Sequence, residues 1–397
     1  MNNQSNNHSN QGTENAVWTE FDRQTMALAL QLAKKGEFTA RPNPMVGCVI
    51  VKNGEIIGQG WHQKSGQAHS EVNALDEAGE QAKDATCYVT LEPCAHTGKT
   101  APCAQALIKA GVKQVIAAME DPFPEVAGKG FEILHQAGIL VKVGLYEEQA
   151  RALNRGFISR VVNKKPFVTC KLAMSLDGRT ALADGSSKWI TGPAARSDVQ
   201  KLRARQDAIL TGMGTLLADD PSLTVRPEDC TDESLTQAFD IGLSQPVRIL
   251  LDKKADASIS AKLFNSSGKV IWMMEAENLA KAKEVLNENN GIESGNIEIG
   301  EFNPNNLSDL LTSLAEAKVN HLLIEAGHQL AGAFLQQGLI DELIVYVAPK
   351  LMGNEGMGLF QLNIASMKDT INLTLKETRH LGDELRLTYH LAKPLEK

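Results

Sequence analysis

The chain has 397 residues, of which 43% are hydrophobic and 22% charged, with a formal net charge of -8. That length exceeds one ordinary core and predicts two domains in a soluble globular protein. The acidic balance, without a basic tract, argues against non-specific binding to nucleic acid or anionic membrane, and six cysteines are too few for a disulfide framework, which fits a reducing cytoplasm.

Residues 1–16 are rich in Asn, Gln and Ser and lack the apolar stretch of a signal peptide, so they read as a disordered leader. No apolar run reaches the roughly 18 residues of a membrane span. Thr19 and Asp22 make a capping pair before an amphipathic helix that runs to about Lys35. Val46–Lys52 and Glu55–Gly60 are apolar runs joined at Asn53-Gly54, the signal of a two-residue hairpin. A helix is expected from about His69 to Gly79, then a strand Thr86–Leu91 that delivers a turn at Pro93-Cys94. A helix follows Pro102 and stops at Gly111. Strand Gln114–Ala118, a helix near Gly130–Gln136 and strand Leu140–Val143 complete the unit. The order α-β-β-α-β-α-β-α-β predicts a three-layer α/β/α sandwich over residues 17–148.

Tyr146–Val162 reads as a connecting helix, with 149–165 as the linker and Lys164-Lys165-Pro166 as its end. Phe167–Met174 opens a second α/β domain, 166–393. Its strands are expected at Ala208–Leu210, Val247–Leu251, Val270–Met273, His321–Ile324 and Leu343–Ala348, with closing strands near Leu373 and at Leu385–Leu391. The polar stretch Glu275–Asn306 accommodates several loop readings. A cut near Lys164–Pro166 is expected to leave each domain's activity in its own piece.

The strongest chemical signal is His69-Ser70-Glu71 followed by Pro93-Cys94 and Cys103. One imidazole and two thiols can hold a zinc ion and leave its fourth coordination place open, as a catalytic site requires. Glu71, two residues beyond His69, is left to shuttle protons. His-x-Glu with a later Pro-Cys is a zinc-deaminase signature. The usual Cys-x2-Cys spacing is absent: Thr97 stands where the second cysteine is common, and Cys103 follows a longer loop holding His96, Gly98 and Lys99. A closed structural clip would need His96 as a fourth ligand and would leave Glu71 idle. His69, Cys94 and Cys103 are each expected at or near a helix start, where the dipole favours thiolate. Cys48, Cys87 and Cys170 sit in apolar runs and read as buried; Cys230 reads as incidental, and His62 as a local polar contact.

In the second domain, Glu325-Ala326-Gly327-His328 follows the strand His321–Ile324 as strand, glycine turn and helix start. Free N–H groups and the helix dipole make that a phosphate cradle. Gly212 and Gly214 follow another strand, and neither glycine pair is a dinucleotide fingerprint. Arg203 and Arg226 are the cations best placed to meet a substrate phosphate.

Taken together, Asn43-Pro44, Val46-Gly47, His69–Leu75, Leu91–Cys94 through Cys103, Ser175–Gly178, Asp219-Asp220-Pro221 and Glu325-Ala326-Gly327 resemble the bacterial bifunctional riboflavin-biosynthesis deaminase/reductases, over about residues 18 to 392. The resemblance implies a cytidine-deaminase-like N-terminal domain and a dihydrofolate-reductase-like C-terminal domain. It implies hydrolytic removal of the 2-amino group of a diaminopyrimidine ribosylamine phosphate, then NADPH-dependent reduction of the ribosyl group to ribityl. His69, Cys94 and Cys103 then bind zinc and Glu71 shuttles protons. Asn43, His96 and Lys99 are implied to contact the pyrimidine nucleotide. Ser187, Arg203, Leu223, Arg226 and Glu325 are implied to hold substrate in the reductase. Ala173, Trp189, Thr215, Asp219, Lys253 and the stretch Gly327, His328, Gln329, Leu330, Ala331, Gly332, Ala333 are implied to hold cofactor. Ser70, Lys99, Ala101 and His328-Gln329 depart from the family's commoner residues; Ser70 and Ala101 are expected to be silent. The implied partner is a small phosphorylated pyrimidine, and the oligomeric state, a homo-oligomer included, stays open. A nucleoside or tRNA deaminase, a zinc-stabilised sensor and a true dihydrofolate reductase are the competing readings.

Overall fold

In a computed structural model of the chain, which describes residues 17–95, 102–123, 126–288 and 296–391, Thr19 and Asp22 form a reciprocal capping box ahead of α1 (Glu20–Lys34). The leader assigned to 1–16 lies outside the described residues. Asn53 and Gly54 both take positive φ, as the two-residue hairpin requires, and join β1 (Gly47–Lys52) to β2 (Glu55–Trp61). There follow α2 (Ser70–Ala78), β3 (Thr86–Val89), α3 (Cys103–Ala110), β4 (Gln114–Ala117), α4 (Lys129–Gln136), β5 (Leu140–Val143) and α5 (Glu147–Leu153). Gly111, in the left-handed region, ends α3. The sheet order is β2-β1-β3-β4-β5, antiparallel at β2-β1-β3 and parallel from β3 onward. α1 and α5 lie on one face and α2, α3 and α4 on the other, which is the expected three-layer sandwich.

The expected connecting helix is two helices, α5 and α6 (Arg155–Asn163), divided at Asn154. The interruption is tertiary. The Asn154 amide accepts from the Met45 N–H at 2.8 Å and donates to the Met45 carbonyl at 2.9 Å. One compact unit comprises the described part of Met1–Gly36 with Met45–Asn154; the other comprises Glu37–Pro44 with the described part of Arg155–Lys397.

The second unit contains β6 (Phe167–Ser175), β7 (Arg179–Ala181), α7 (Pro193–Ala204), β8 (Ala208–Gly212), α8 (Met213–Asp219), α9 (Glu233–Asp240), β9 (Val247–Leu251), α10 (Lys262–Asn265), β10 (Val270–Met274), α11 (Leu279–Glu288), β11 (Ile297–Glu301), α12 (Leu307–Glu316), β12 (His321–Ile324), α13 (His328–Gln336), β13 (Glu342–Ala348), β14 (Met357–Gly358), β15 (Leu373–Leu381) and β16 (Glu384–Leu391). Its nine-stranded sheet runs β11-β10-β9-β8-β12-β6-β13-β16-β15, parallel from β11 to β13 and antiparallel over the last two strands. The parallel strands read as continuous apolar runs because both faces are covered. Leu210, Ile324 and Phe334 sit in the core on one side, Ile209, Leu323 and Trp272 on the other. The stretch Glu275–Asn306 contributes α11 and the edge strand β11.

Candidate active sites

In the first unit, two glycines set the geometry of the site. A Cβ on Gly60 would stand 2.3 Å from the Ser70 carbonyl, so only glycine lets β2 touch the start of α2. A Cβ on Gly130 would stand 2.0 Å from the Pro93 carbonyl, which seats the Pro93-Cys94 turn on α4. Glu92 anchors the same turn: its carboxylate accepts from the N–H groups of Asp121, Gly128 and Gly130 at 3.1, 3.0 and 2.7 Å. His62 Nδ1 donates to the Ala68 carbonyl at 3.1 Å, just ahead of His69.

His69 is the N-cap of α2 and Cys103 the first residue of α3. Cys94 lies in the turn after β3, so two helix starts meet here rather than the expected three. The α3 start still reaches Cys94, because the Cys103 N–H donates to its Sγ at 3.3 Å. His69 Nδ1 lies 3.2 Å from Cys103 Sγ and 3.7 Å from Cys94 Sγ, and the three ligand atoms all fall within 4.8 Å of one another. Zinc bonds of about 2.3 Å to sulfur and 2.0–2.1 Å to nitrogen set tetrahedral ligands about 3.5–3.8 Å apart, so this donor set fits the ion. The two thiols divide charge unequally. Hydrogen bonds from the Cys103 thiol and His69 draw Cys94 down to about 4, while Cys103 is pushed up as the donor. The His69 imidazole is raised by its bond to Cys94 and by Glu71.

Glu71, on the first turn of α2, is 3% exposed. Burial pushes its carboxyl up, and the charge on Cys94 adds to that. Ser70, expected to be silent, donates its hydroxyl to Glu71 Oε2 at 2.8 Å. His96, Lys99 and Ala101 lie outside the described residues. Asn43 is half-buried in the segment Glu37–Pro44, which belongs to the second unit.

The second unit opens a cleft of about 1300 Å³ along the carboxyl ends of β6, β8, β9 and β12, the edge where parallel sheets bind ligands. The strand, glycine turn and helix start at β12–α13 are as expected. Gly327 caps α13 and donates its N–H to Thr215 Oγ1 at 3.1 Å. Ser187, Leu223 and Arg226 line the cleft, as do Ala173, Trp189, Thr215, Asp219 and Lys253. From the α13 stretch, Gly327, His328, Gln329, Leu330 and Ala333 line it too. Ala331 is instead in the core, and Gly332 backs onto the Gln361 carbonyl, which a Cβ would meet at 2.5 Å.

Arg203 and Glu325 both line the cleft, but as a bidentate pair, at 2.6 and 3.0 Å, with Arg203 also donating to the Thr224 carbonyl at 3.1 Å. Arg203 is therefore not a free cation. Burial opposes both charges; the pairing outweighs it, holding Glu325 below and Arg203 above their ordinary values. Arg226 bonds Asp229 at 2.5 Å and the Ser222 hydroxyl at 3.3 Å on the rim. Lys171, absent from the sequence-based set, projects from β6 into the same cleft. Burial lowers its amine and Glu325 partly offsets that. A lysine inside the apolar run Phe167–Met174 was the available signal.

Residues 19–119 match the family model of the cytidine and deoxycytidylate deaminase zinc-binding region, and residues 166–387 match that of the RibD C-terminal domain. The chain is 48% identical over 365 residues to the riboflavin biosynthesis protein RibD of Haemophilus influenzae, covering 92% of this chain and 96% of that one. It is 46% identical to the protein of the same name from Escherichia coli, covering 92% and 98%. The solved structure of Acinetobacter baumannii RibD superposes with a TM-score of 0.84 at 42% identity, over 94% of this chain and 99% of that one. A Thermotoga maritima diaminohydroxyphosphoribosylaminopyrimidine deaminase/5-amino-6-(5-phosphoribosylamino)uracil reductase gives 0.80 at 31%, over 94% and 99%. The cytidine-deaminase-like and dihydrofolate-reductase-like folds implied by the motifs are both present.

Proposed function

Because the chain belongs to the family of bifunctional riboflavin-biosynthesis deaminase/reductases, we propose a role for each residue set in its two sites. The enzyme removes the ring amine of the diaminopyrimidine ribosylamine phosphate by hydrolysis and then reduces the ribosyl group of the product. The observation that carries the first reaction is the convergence of His69, Cys94 and Cys103 beside the buried carboxyl of Glu71.

His69, Cys94 and Cys103 hold one zinc ion. Bound there, it supplies the Lewis acidity that makes water a nucleophile at neutral pH. Glu71 takes a proton from the attacking water, passes one to the ring nitrogen and assists ammonia in leaving. Asn43, His96 and Lys99 orient the nucleotide.

In the reductase cleft the nicotinamide cofactor, NADPH, supplies the hydride. The α13 start, from Gly327 to Leu330, and Thr215 hold its phosphates, with Ala173, Trp189 and Asp219 around it. Ala331, Gly332 and Ala333 support that helix, and Lys253 adds positive charge to the cleft lining. Ser187, Leu223 and Arg226 hold the ribosyl phosphate. The Arg203–Glu325 pair, with Lys171, places the carbon that receives hydride. The competing reading of Arg203 as a phosphate ligand is disfavoured by its bidentate bond.

No helix among the described residues is long and apolar enough to cross a membrane. Six free cysteines suit the reducing cytoplasm, and the net charge of -8 disfavours nucleic acid as a partner. The edge strand β15 exposes Leu373 and Leu375 near Met367 and Ile371, a surface that suits a second copy of the chain. The test of function is to supply the diaminopyrimidine ribotide with and without NADPH and identify products by mass. The deaminated ribotide should accumulate without NADPH and its ribityl product form with it. Dihydrofolate reduction without ammonia release would overturn the assignment.

A further inference from the structure

We propose that Ser70 is a positioning residue for the deaminase reaction, holding Glu71 through its hydroxyl; this rests on the deaminase reading above. Ser70 is the first residue of α2 and has no exposure to solvent. Its backbone is fixed on one side by the close approach of Gly60, whose Cβ would stand 2.3 Å from the Ser70 carbonyl. The hydroxyl therefore projects from an anchored backbone, and it donates to Glu71 Oε2 at 2.8 Å.

A glutamate reaches its target through three side-chain torsions, and proton transfer needs a heavy-atom separation of about 2.6–3.2 Å. Freezing one carboxyl oxygen leaves the other to face the reacting atoms in one orientation. A hydroxyl both donates and accepts, so it can follow the carboxyl as Glu71 exchanges its proton. Alanine at this position would offer neither. In this chain, removing the hydroxyl leaves a buried oxygen of Glu71 without that partner.

The experiment uses the full-length, zinc-loaded protein and measures ammonia release from the diaminopyrimidine ribotide in Ser70→Ala, Glu71→Ala and the double variant. Zinc content and Tm are read alongside. Ser70→Ala should keep its zinc and its KM, lower Tm by no more than the few degrees that one lost buried hydrogen bond accounts for, and lose about tenfold in kcat, the scale of one hydrogen bond to a charged group. In the Glu71→Ala background the same change should have no further effect, because a residue acting through Glu71 has nothing left to position. An unchanged kcat in Ser70→Ala overturns the proposal. So does a loss of zinc, a rise in KM alone, or an equal tenfold loss in both backgrounds, each of which assigns Ser70 to packing. If the parent releases no ammonia while Glu71→Ala matches it, the deaminase reading itself fails and takes the proposal with it.

Discussion

Glu325→Ala should destabilise the second unit far more than its single carboxylate suggests. The side chains of Arg203 and Glu325 are 11% and 9% exposed, and the pair is bidentate. Removing the acid leaves a buried guanidinium with no counter-charge, and Lys171 loses the same partner. Breaking such a pair costs about 3–5 kcal/mol. At about 2–4 °C per kcal/mol for a domain of this size, Tm should fall by about 6–20 °C. Scanning calorimetry of the full chain, with reductase activity followed in parallel, identifies which transition moves. The pH dependence has a definite sign. Burial pushes the Glu325 carboxyl up, but Arg203 outweighs it and holds the folded value below the ordinary 4.5. Its contribution is therefore complete above that value and is lost as pH falls through the lower folded one. The gap between parent and variant should stay constant from pH 8 to about 5 and close in stronger acid. Replacing both partners by Leu and Met should cost less than Glu325→Ala alone. A variant melting within about 1 °C of the parent at pH 7 would refute the reasoning, as would a double variant weaker than the single.

Cys94→Ser should lose the metal and ammonia release together; stoichiometric zinc in that variant by metal analysis would remove Cys94 from the ligand set. Glu71→Ala should retain zinc, lose deamination by roughly 10²–10⁴-fold and leave reduction of the deaminated ribotide intact. Loss of both reactions in a folded, zinc-loaded protein would contradict two separate sites. Arg226→Ala should raise KM for the ribosyl phosphate in the reduction by about tenfold or more while ammonia release is unchanged; an unchanged KM would return Arg226 to its rim partner Asp229.

The elements that could be read from the sequence were those with local signals. The Thr19/Asp22 box, the Asn53-Gly54 turn and the Gly111 stop each act within a few residues, and each formed as expected. The convergence of His69, Cys94 and Cys103 was legible because their chemistry is carried by residue type and spacing. The division of the linker at Asn154 was not, because its cause is a bond to Met45, 109 residues away in sequence. The pairing of Arg203 was hidden for the same reason: sequence shows the charge, and its partner lies 122 residues on. Ser70 marks a third kind of position. Residue type shows a small polar side chain, and only the structure shows its buried hydroxyl 2.8 Å from the carboxyl of Glu71.

The same distinction bears on a chain cut near Lys164–Pro166, where the sequence expects two self-sufficient pieces. The second unit draws on more than the residues beyond that cut. Phe38 is buried with Ala204, Val225, Leu235 and Ala238, and Glu37 pairs with Arg205 at 2.8 Å. Arg41 donates to the Ala204 carbonyl at 2.8 Å, and Asn320 donates to that of Pro42 at 2.8 Å. From α6, Arg155 makes a bidentate bond to Glu342 at 2.6 and 2.9 Å, and Arg160 donates to Asn320 at 2.6 Å. Losing Phe38 forfeits about 1.5–3 kcal/mol of apolar burial. Losing Arg155 takes the bidentate partner from Glu342 and leaves it the Thr169 hydroxyl at 3.4 Å and His390 at 3.6 Å. Because the Arg155 side chain is 38% exposed, the cost falls below the roughly 3–5 kcal/mol of a broken buried pair, and the lost contacts together approach the stability of a modest domain. Residues 166–397 alone should therefore melt without a cooperative transition. Residues 155–397, which regain Arg155 and Arg160, should show one, still below that of the unit in the full chain. Equal melting of the two fragments by circular dichroism would mean that α6 is an accessory, and melting of both at the temperature of the unit in the full chain would mean that the segment Glu37–Pro44 is one too. The reductase would then be complete from residue 166.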